Sequence, residues 1–457
     1  MYRVYVCKVK NIRPAENADR LNLCEVYDNT TVVDKSVNEN DLYLYFPVDG
    51  QISEEFGNAN NLFRKKDENG NNCGGFIDPI KRNITAIKLR GNRSDGLVLP
   101  LTALQKFGDI STLKEGDTVE TFNGYVIAIK YIPIKRQSNN IQKGSRGKKP
   151  PKVLIAPLFA RHADTEQLVY NLNAFKYGDL VEFTLKMHGT SGRTAYVPVL
   201  KGYKRTLWDK ITHKEGTPIY KWGYVSGTRR VELDSYNGGF YGSNEFRRKY
   251  HEFFKGKLHK GEEIFYEIVG YTDDGIPIMG TGNTEKLGKD FVKKYGKNME
   301  FSYGCSPNGY INKDEAVEGQ LPRNDIYVYR MTMTNEDGDI VEYTPDFMRY
   351  RCEQMGVKTV SVFNRFLLKQ GDPAEPNNKL IRESVMLAAE EYCGSGRALE
   401  DIVDPSHIRE GTVVRIVNRP TFTAFKHKNF EFKVLSGIIK DAAAARDGMT
   451  DDMISEL

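Results

Sequence analysis

Lys186 closes a strand-like apolar run, Leu180 to Leu185, and opens the stretch Lys186-Met187-His188-Gly189-Thr190-Ser191-Gly192-Arg193. Three further fragments follow in order: Tyr266-Glu267-Ile268-Val269-Gly270, Glu410-Gly411-Thr412-Val413-Val414-Arg415 and Phe425-Lys426-His427-Lys428. Each fragment alone is common. Together, in this order, they constrain the chain to a fold that gathers charged strand residues around one lysine arranged to attack a phosphorus atom. A neutral amine is a good nucleophile and an ammonium ion is not, so nearby cations or desolvation must loosen the proton. Arg193, close in sequence, and the pair Lys426 and Lys428 are the candidate cations. Residues 426 and 428 are two apart, so on a strand they point to one face. The same cations would neutralise triphosphate charge and the charge that develops during transfer. Glu267 and Glu410 sit in or just before apolar β-type runs and are the acidic half. Carboxylates there can hold a ribose hydroxyl or orient the hydration shell of a divalent ion. Gly189 allows close backbone approach.

The chain has 457 residues, room for two or three domains. It is 39% hydrophobic and 28% charged, as soluble globular proteins are, and no run approaches a membrane span. The opening Tyr2-Arg3-Val4-Tyr5-Val6 does not read as a signal peptide. Six scattered cysteines without a Cys-x-x-Cys pair argue against structural zinc or a disulfide framework. These features lead us to expect a cytoplasmic protein with no membrane partner. The net charge of +5 is local: residues 135–152 carry seven basic and no acidic side chains, and without them the formal charge is −2. Phosphates are a natural target for such a block, which can also be a solvated linker.

Residues 1–134 read as all-β, with short alternating runs separated by Asn, Asp and Gly clusters. Residues 135–152 read as a basic linker, 153–440 as a mixed domain, and 441–457 as a short acidic tail beginning in a helix. Strands are expected at Leu180–Leu185, Ile264–Ile268 and Ile326–Thr332, and helices at Asn244–Phe254 and Lys379–Tyr392. The Gly- and Asn-rich stretch 280–325 reads as an insertion or long surface loop with helix at Lys286–Tyr295. Its Gly288-Lys289 does not make a P-loop, because the spacing is wrong and Asp290 stands where Ser or Thr is needed.

The succession Lys-x-His-Gly-Thr-Ser, Glu-x-x-Gly, Glu-Gly-x-Val-Val-Arg and Lys-His-Lys resembles the ATP-dependent RNA ligases of the covalent nucleotidyltransferase superfamily, over roughly residues 155–435. His188-Gly189-Thr190 favours the RNA branch over DNA ligases, which usually have Lys-x-Asp-Gly. The resemblance implies that Lys186 carries AMP, that Glu267 contacts the ribose and that Glu410 is the metal-associated carboxylate. It also puts Lys426 and Lys428 on the α-phosphate and Arg193 among the nucleotide contacts. Ser226-Gly227-Thr228-Arg229 resembles a motif whose arginine works near the RNA end, pointing to Arg229, with Arg230 as rival. Asp325 to Met331 resembles the motif whose aromatic stacks on adenine. Tyr329 aligns there, and Tyr327 would share its strand face. The family more often has Phe-Asp-Ile where this chain has Tyr329-Arg330-Met331.

Ile12 to Val26 and Lys88 to Pro100 resemble two landmarks of OB-fold RNA-binding modules, with Arg90 and Arg93 as phosphate contacts or as braces of the barrel's own turns. One class of RNA ligase carries such a domain before its catalytic domain and works on nicks. The expected fold is therefore α+β: an N-terminal OB-like β-barrel, then an ATP-grasp-like ligase nucleotidyltransferase domain of antiparallel sheets with flanking helices. The expected activity is ATP-dependent joining of RNA 3′-hydroxyl and 5′-phosphate ends, at duplex nicks, in RNA repair. ATP and Mg²⁺ or Mn²⁺ would serve as cofactors, and the protein would act as a monomer. The alternatives are a DNA ligase and a non-catalytic RNA-binding protein that keeps the fold. A capping-type guanylyltransferase fits less well, because the OB-like features precede the catalytic motifs.

Overall fold

The computed structural model describes residues 2–131 and 156–436, except 17, 19, 28, 49, 67–72, 90–91, 160–161, 163–164, 206–215, 230, 234–235, 238–240, 242 and 395–398. The basic segment 135–152, the acidic tail 441–457, Arg90 and Arg230 lie outside the described residues. The chain divides into two compact units, Met1–Ser145 with Lys433–Leu457, and Arg146–Phe432. None of the described helices is long and apolar enough to cross a membrane.

In the first unit, alternating apolar runs pair into short antiparallel sheets. Tyr5–Cys7, Tyr43–Phe46 and Leu97–Pro100 form one, and Lys10–Pro14, Leu21–Val26 and Asn29–Asp34 another. Val4, Val6, Leu44, Phe46, Phe56 and Leu104 are fully buried in one core cluster. Burying each such side chain is worth roughly 1.5–3 kcal/mol. The expected barrel is not traced as a closed sheet by the described strand pairs, which fall into separate two- and three-stranded sheets. The unit is also not all-β. A short helix spans Glu54–Ala59, started by Ser53, whose hydroxyl accepts from the Phe56 amide at 3.1 Å. The two OB-like landmarks do meet: Asn92 donates to the Glu16 carbonyl at 2.5 Å and accepts from the Glu16 amide at 3.1 Å. Arg93 lies in a hairpin opposite Lys88.

The second unit is built on ten principal strands. They are β1 Glu166–Gln167, β2 Leu180–Lys186, β3 Thr190–Lys204, β4 Thr217–Gly227, β5 Glu262–Gly270, β6 Asn324–Thr334, β7 Ile340–Glu342, β8 Val362–Leu367, β9 Gly411–Ile416 and β10 Ala424–Lys428. They make two five-stranded sheets, in the orders β4-β3-β5-β6-β7 and β1-β10-β9-β2-β8. Pairing is antiparallel except between β1 and β10. Three helices cover them: α1 Glu245–Phe254, α2 Pro345–Met355 and α3 Lys379–Cys393. Their ends are written in the sequence. Thr344 and Asn378 cap α2 and α3 from the front, and left-handed Gly356 and Gly394 end them. Phe246, Phe254, Ile264, Ile268, Val328 and Met331 bury α1 and α2 against the first sheet. Phe183, Ile381, Val385, Ala389 and Val414 bury α3 against the second.

Stretch 280–325 is more than a surface loop. It holds a helix at Lys289–Tyr295, but Met299, Phe301, Tyr303 and Cys305 are buried. Its polar composition hides these four buried side chains, spaced two apart.

Candidate active site

Lys186 is the last residue of β2. It stands opposite Gly411 of β9, which in turn stands opposite Lys428 of β10. Gly411 thus separates the two lysines without a side chain of its own. Nothing larger fits: a Cβ there would lie 2.1 Å from the His427 carbonyl oxygen, and φ is 153°. Glu410 reaches both cations beside this gap. Its Oε1 is 2.7 Å from Lys186 Nζ and 3.0 Å from Lys428 Nζ. Its Oε2 is 3.2 Å from His188 Nδ1, which carries the hydrogen because a carboxylate only accepts. Burial pushes the Glu410 carboxyl up, but Lys186, Lys428 and His188 outweigh it and hold the group well below the usual carboxylate range. Burial lowers the proton affinity of His188 despite Glu410 beside it.

The first sheet supplies the other wall. Ser191 of β3 is paired with Glu267 of β5, and its hydroxyl donates to Glu267 Oε2 at 3.4 Å. Burial, the largest cause, pushes the Glu267 carboxyl up to about 7; Lys186 lowers it and Glu410 raises it. Tyr329 is the extra residue of a bulge in β6: Val328 pairs with Tyr266 and Arg330 with Phe265, leaving Tyr329 between. The bulge aims its hydroxyl to within 3.4 Å of Ser191 Oγ and of His162 Nδ1. Tyr327 pairs opposite Glu267, yet it does not line the cavity, and Lys358 lies 5.5 Å over its ring. The two walls enclose a cavity of about 320 Å³, lined among others by Lys186, Glu267, Tyr329, Glu410, Lys426 and Lys428. That volume is in the range of small-molecule sites.

The turn after Lys186 is held from several sides. A Cβ on Gly189 would lie 2.3 Å from the Ile268 carbonyl oxygen, so the close approach this glycine allows is to β5 itself. The His188 amide donates to Tyr303 Oη at 2.8 Å, and the His188 ring meets the rings of Phe301 and Phe432 edge-on at 4.6 Å each. Buried Arg247 donates to the Ser191 carbonyl at 2.7 Å and to Thr190 Oγ1 at 2.6 Å. Tyr303, Phe301 and Arg247 are not among the site residues expected from the sequence. The spacing of Phe301 and Tyr303 was a signal for the first two, and Arg247 on a helix face gave none.

Not every candidate joins the cluster. Arg229 lines the cavity. Arg193 does not: it is buried with Phe159 3.7 Å under its guanidinium, pairs with Glu263 at 3.2 Å and donates to the Thr228 carbonyl at 2.9 Å. Arg330, where the family more often has Asp, is paired with Glu342 and lies between the rings of Phe265 and Phe422. Among the described residues no group of three or more His, Cys, Asp or Glu side chains could hold a metal ion by itself. Three carboxylates line the cavity: Glu182, which is paired with Arg349, and Glu267 and Glu410 on the side of Lys186.

No protein-family model matches this chain, and no curated protein matches it. Solved structures do. A lysine-to-alanine variant of Naegleria gruberi RNA ligase with ATP and Mn matches at a TM-score of 0.51 and 17% identity, covering 95% of this chain and 98% of that one. The fold is that of an RNA ligase. The same ligase with PPi matches at 0.50 and 17% identity, over 94% of this chain and 97% of that one. A lysine-to-methionine variant with AMP and Mn matches at 0.50 and 17% identity, over 93% and 96%. The similarity thus spans nearly the whole length of both chains.

Proposed function

We propose that this protein is an ATP-dependent RNA ligase that joins 3′-hydroxyl and 5′-phosphate ends through a lysyl–AMP and an RNA–adenylate. The observation that carries the reading is Glu410 held between Lys186 and Lys428 at 2.7 and 3.0 Å, beside a cavity walled by Glu267, in a chain with an RNA ligase fold. Lys186, as the amine, attacks the α-phosphorus of ATP; the N–P bond forms, the bond to the bridging oxygen breaks, and pyrophosphate leaves. Glu267, with a carboxyl near 7, can exchange a proton at neutral pH. An oxygen of the RNA 5′-phosphate then takes AMP from Lys186. Finally the 3′-hydroxyl attacks that phosphate and expels AMP.

In this reading Lys426 and Lys428 hold the α-phosphate, Glu267 the ribose, and Tyr329 the base, while Arg229 stands toward the RNA end. Arg193 braces the wall behind the site through its buried pair with Glu263. A Mg²⁺ or Mn²⁺ ion fits two carboxylates that leave most of its shell to water and substrate phosphates, with Glu410 as the associated group. Such an ion would supply neutralisation of phosphate charge. We assign the first unit to an OB-like RNA-binding module in which Arg93 and Arg90 serve phosphates, the basic segment 135–152 to a linker, and the substrate to nicks in duplex RNA, sealed by a cytoplasmic monomer.

The test is ligation of an end-labelled nicked RNA duplex with ATP and either ion, beside a nicked DNA duplex. Conversion of the RNA strand to full length is expected. Sealing of DNA alone would replace this reading with a DNA ligase, and no sealing of either with no adenylate formed would leave an RNA-binding protein.

A further inference from the structure

We propose that His407 is a positioning residue for the attack by Lys186: it fixes the buried arm 301–304 within the stretch 280–325, and the arm fixes the turn after the nucleophile. The proposal rests on the RNA ligase reading and adds a residue that is fully buried and does not line the cavity. His407 Nδ1 lies 3.1 Å from the Ile408 carbonyl oxygen, which only accepts, so the hydrogen is on Nδ1. Nε2 is then an acceptor, and it takes the Tyr303 amide at 3.4 Å. Asp404 Oδ2, 4.0 Å from Nε2, is too far to compete. It accepts instead from Ser302 Oγ at 2.6 Å and from the Gly304 amide at 2.8 Å. Three consecutive residues of the arm are thus bonded to Asp404 and His407.

Tyr303, in the middle of them, holds a left-handed backbone at φ 50°, a region that bulky residues rarely occupy. Such a conformation persists where its surroundings over-determine it, as the bonds on either side do here. Its effect is to send the Tyr303 ring edge-on past the His407 ring at 4.4 Å and its hydroxyl to the His188 amide at 2.8 Å. His188 is two residues beyond Lys186. The second route runs along the chain. His407 is three residues before Glu410, whose Oε1 is 2.7 Å from Lys186 Nζ. The loop that carries both is closed by the Asp401 amide on the His407 carbonyl at 2.9 Å. The turn after the nucleophile and the carboxylate beside it therefore share one buried imidazole. A histidine that only fills space accounts for the ring contact, but not for a left-handed Tyr303 bonded at both its amide and its hydroxyl. Attack on phosphorus is sensitive to displacements of about an ångström, so a loosened arm costs rate. Glu267, Lys426 and Lys428, assigned to the nucleotide, stand on β5 and β10 and make none of these bonds, so ATP affinity is spared.

The experiment measures two things on the full chain: single-turnover AMP attachment over a range of ATP, and hydrogen exchange over residues 187–192 by mass spectrometry. Asn in place of His407 reaches only the Nδ1 position and loses the bond to Tyr303, whereas Gln can set its amide oxygen where Nε2 stands. His407→Asn should slow attachment at saturating ATP about tenfold, with half-saturating ATP within twofold of wild type. The turn should exchange about tenfold faster in the same variant. His407→Gln should bring both readouts back to within about threefold of wild type. Ser302→Ala, at the half-buried edge of the arm, should show the same pattern at about threefold and keeps the test open should the His407 variants not fold. Wild-type rate and exchange in Ser302→Ala or in folded His407→Asn would overturn the proposal. So would a Gln variant no better than Asn, or rate and ATP affinity falling together. No AMP attachment in the wild type would instead overturn the ligase reading, and the exchange difference between Asn and Gln would still decide whether His407 holds the turn.

Discussion

Replacing Glu267 by Gln should free the fold from a penalty that grows with pH. Burial at the cavity wall lifts this carboxyl from 4.5 to about 7. An unfolded chain releases the proton near the lower value and the folded chain near the higher one. Between them the folded state binds more protons, so stability falls as pH rises, and the loss is complete above about 7. The gap corresponds to about 3 kcal/mol, and water in the cavity screens it toward about 2 kcal/mol. Gln keeps the shape and cannot ionise. The variant's advantage should be small at pH 5 and near its full size at pH 8, or about 5 °C in melting temperature for a unit of this size. Thermal melts of both proteins by circular dichroism at intervals from pH 5 to 8.5 read this directly. Glu410→Gln is the mirror case. Its carboxylate is held well below the ordinary range by Lys186, Lys428 and His188, so it stabilises at neutral pH and that stability is lost in acid. There the variant should be the less stable one, with the gap closing as pH falls. A pH-independent offset for Glu267→Gln would refute the reasoning.

Gly411→Ala should destabilise by about 2–4 kcal/mol, because its methyl would meet the His427 carbonyl oxygen at 2.1 Å in a backbone region that favours glycine; chemical denaturation reads this. Arg193→Ala should cost about 3–5 kcal/mol by breaking its buried ion pair with Glu263, and calorimetry of ATP binding to the folded variant should show little change. Tyr303→Phe removes the acceptor of the His188 amide. It should slow AMP attachment about tenfold at saturating ATP while ATP affinity stays within twofold, as single-turnover labelling would show.

Much of the site could be read before the fold. Lys186, Glu267, Lys426 and Lys428 sit in strands and Glu410 just before one, as the apolar runs reveal, and the structure brings all five to one cavity. Period-two alternation was enough to place Lys426 and Lys428 on one side. Tyr329 was legible as an aromatic in a strand, but the bulge that separates it from Tyr327 leaves no mark in local composition. Arg193 failed for a related reason. Nearness in sequence brought it into the motif, while the buried Glu263 that claims it lies across the sheet on β5. The stretch 280–325 read as a loop because its Gly and Asn outnumber the few buried rings that dock it. In the first unit the strands were legible, whereas the helix at Glu54–Ala59 hung on one capping serine and two glutamates in six residues. The basic block 135–152, conspicuous in sequence, lies outside the described residues.

In the proposed reaction Lys186 takes AMP from ATP. Incubating the wild type and Lys186→Ala with ATP labelled at the α-phosphate and Mg²⁺ or Mn²⁺, after pyrophosphate has cleared any bound AMP, tests it on a denaturing gel. Label on the wild type and none on the variant is the predicted result. No label on the wild type with either ion, or equal label on both proteins, would contradict it.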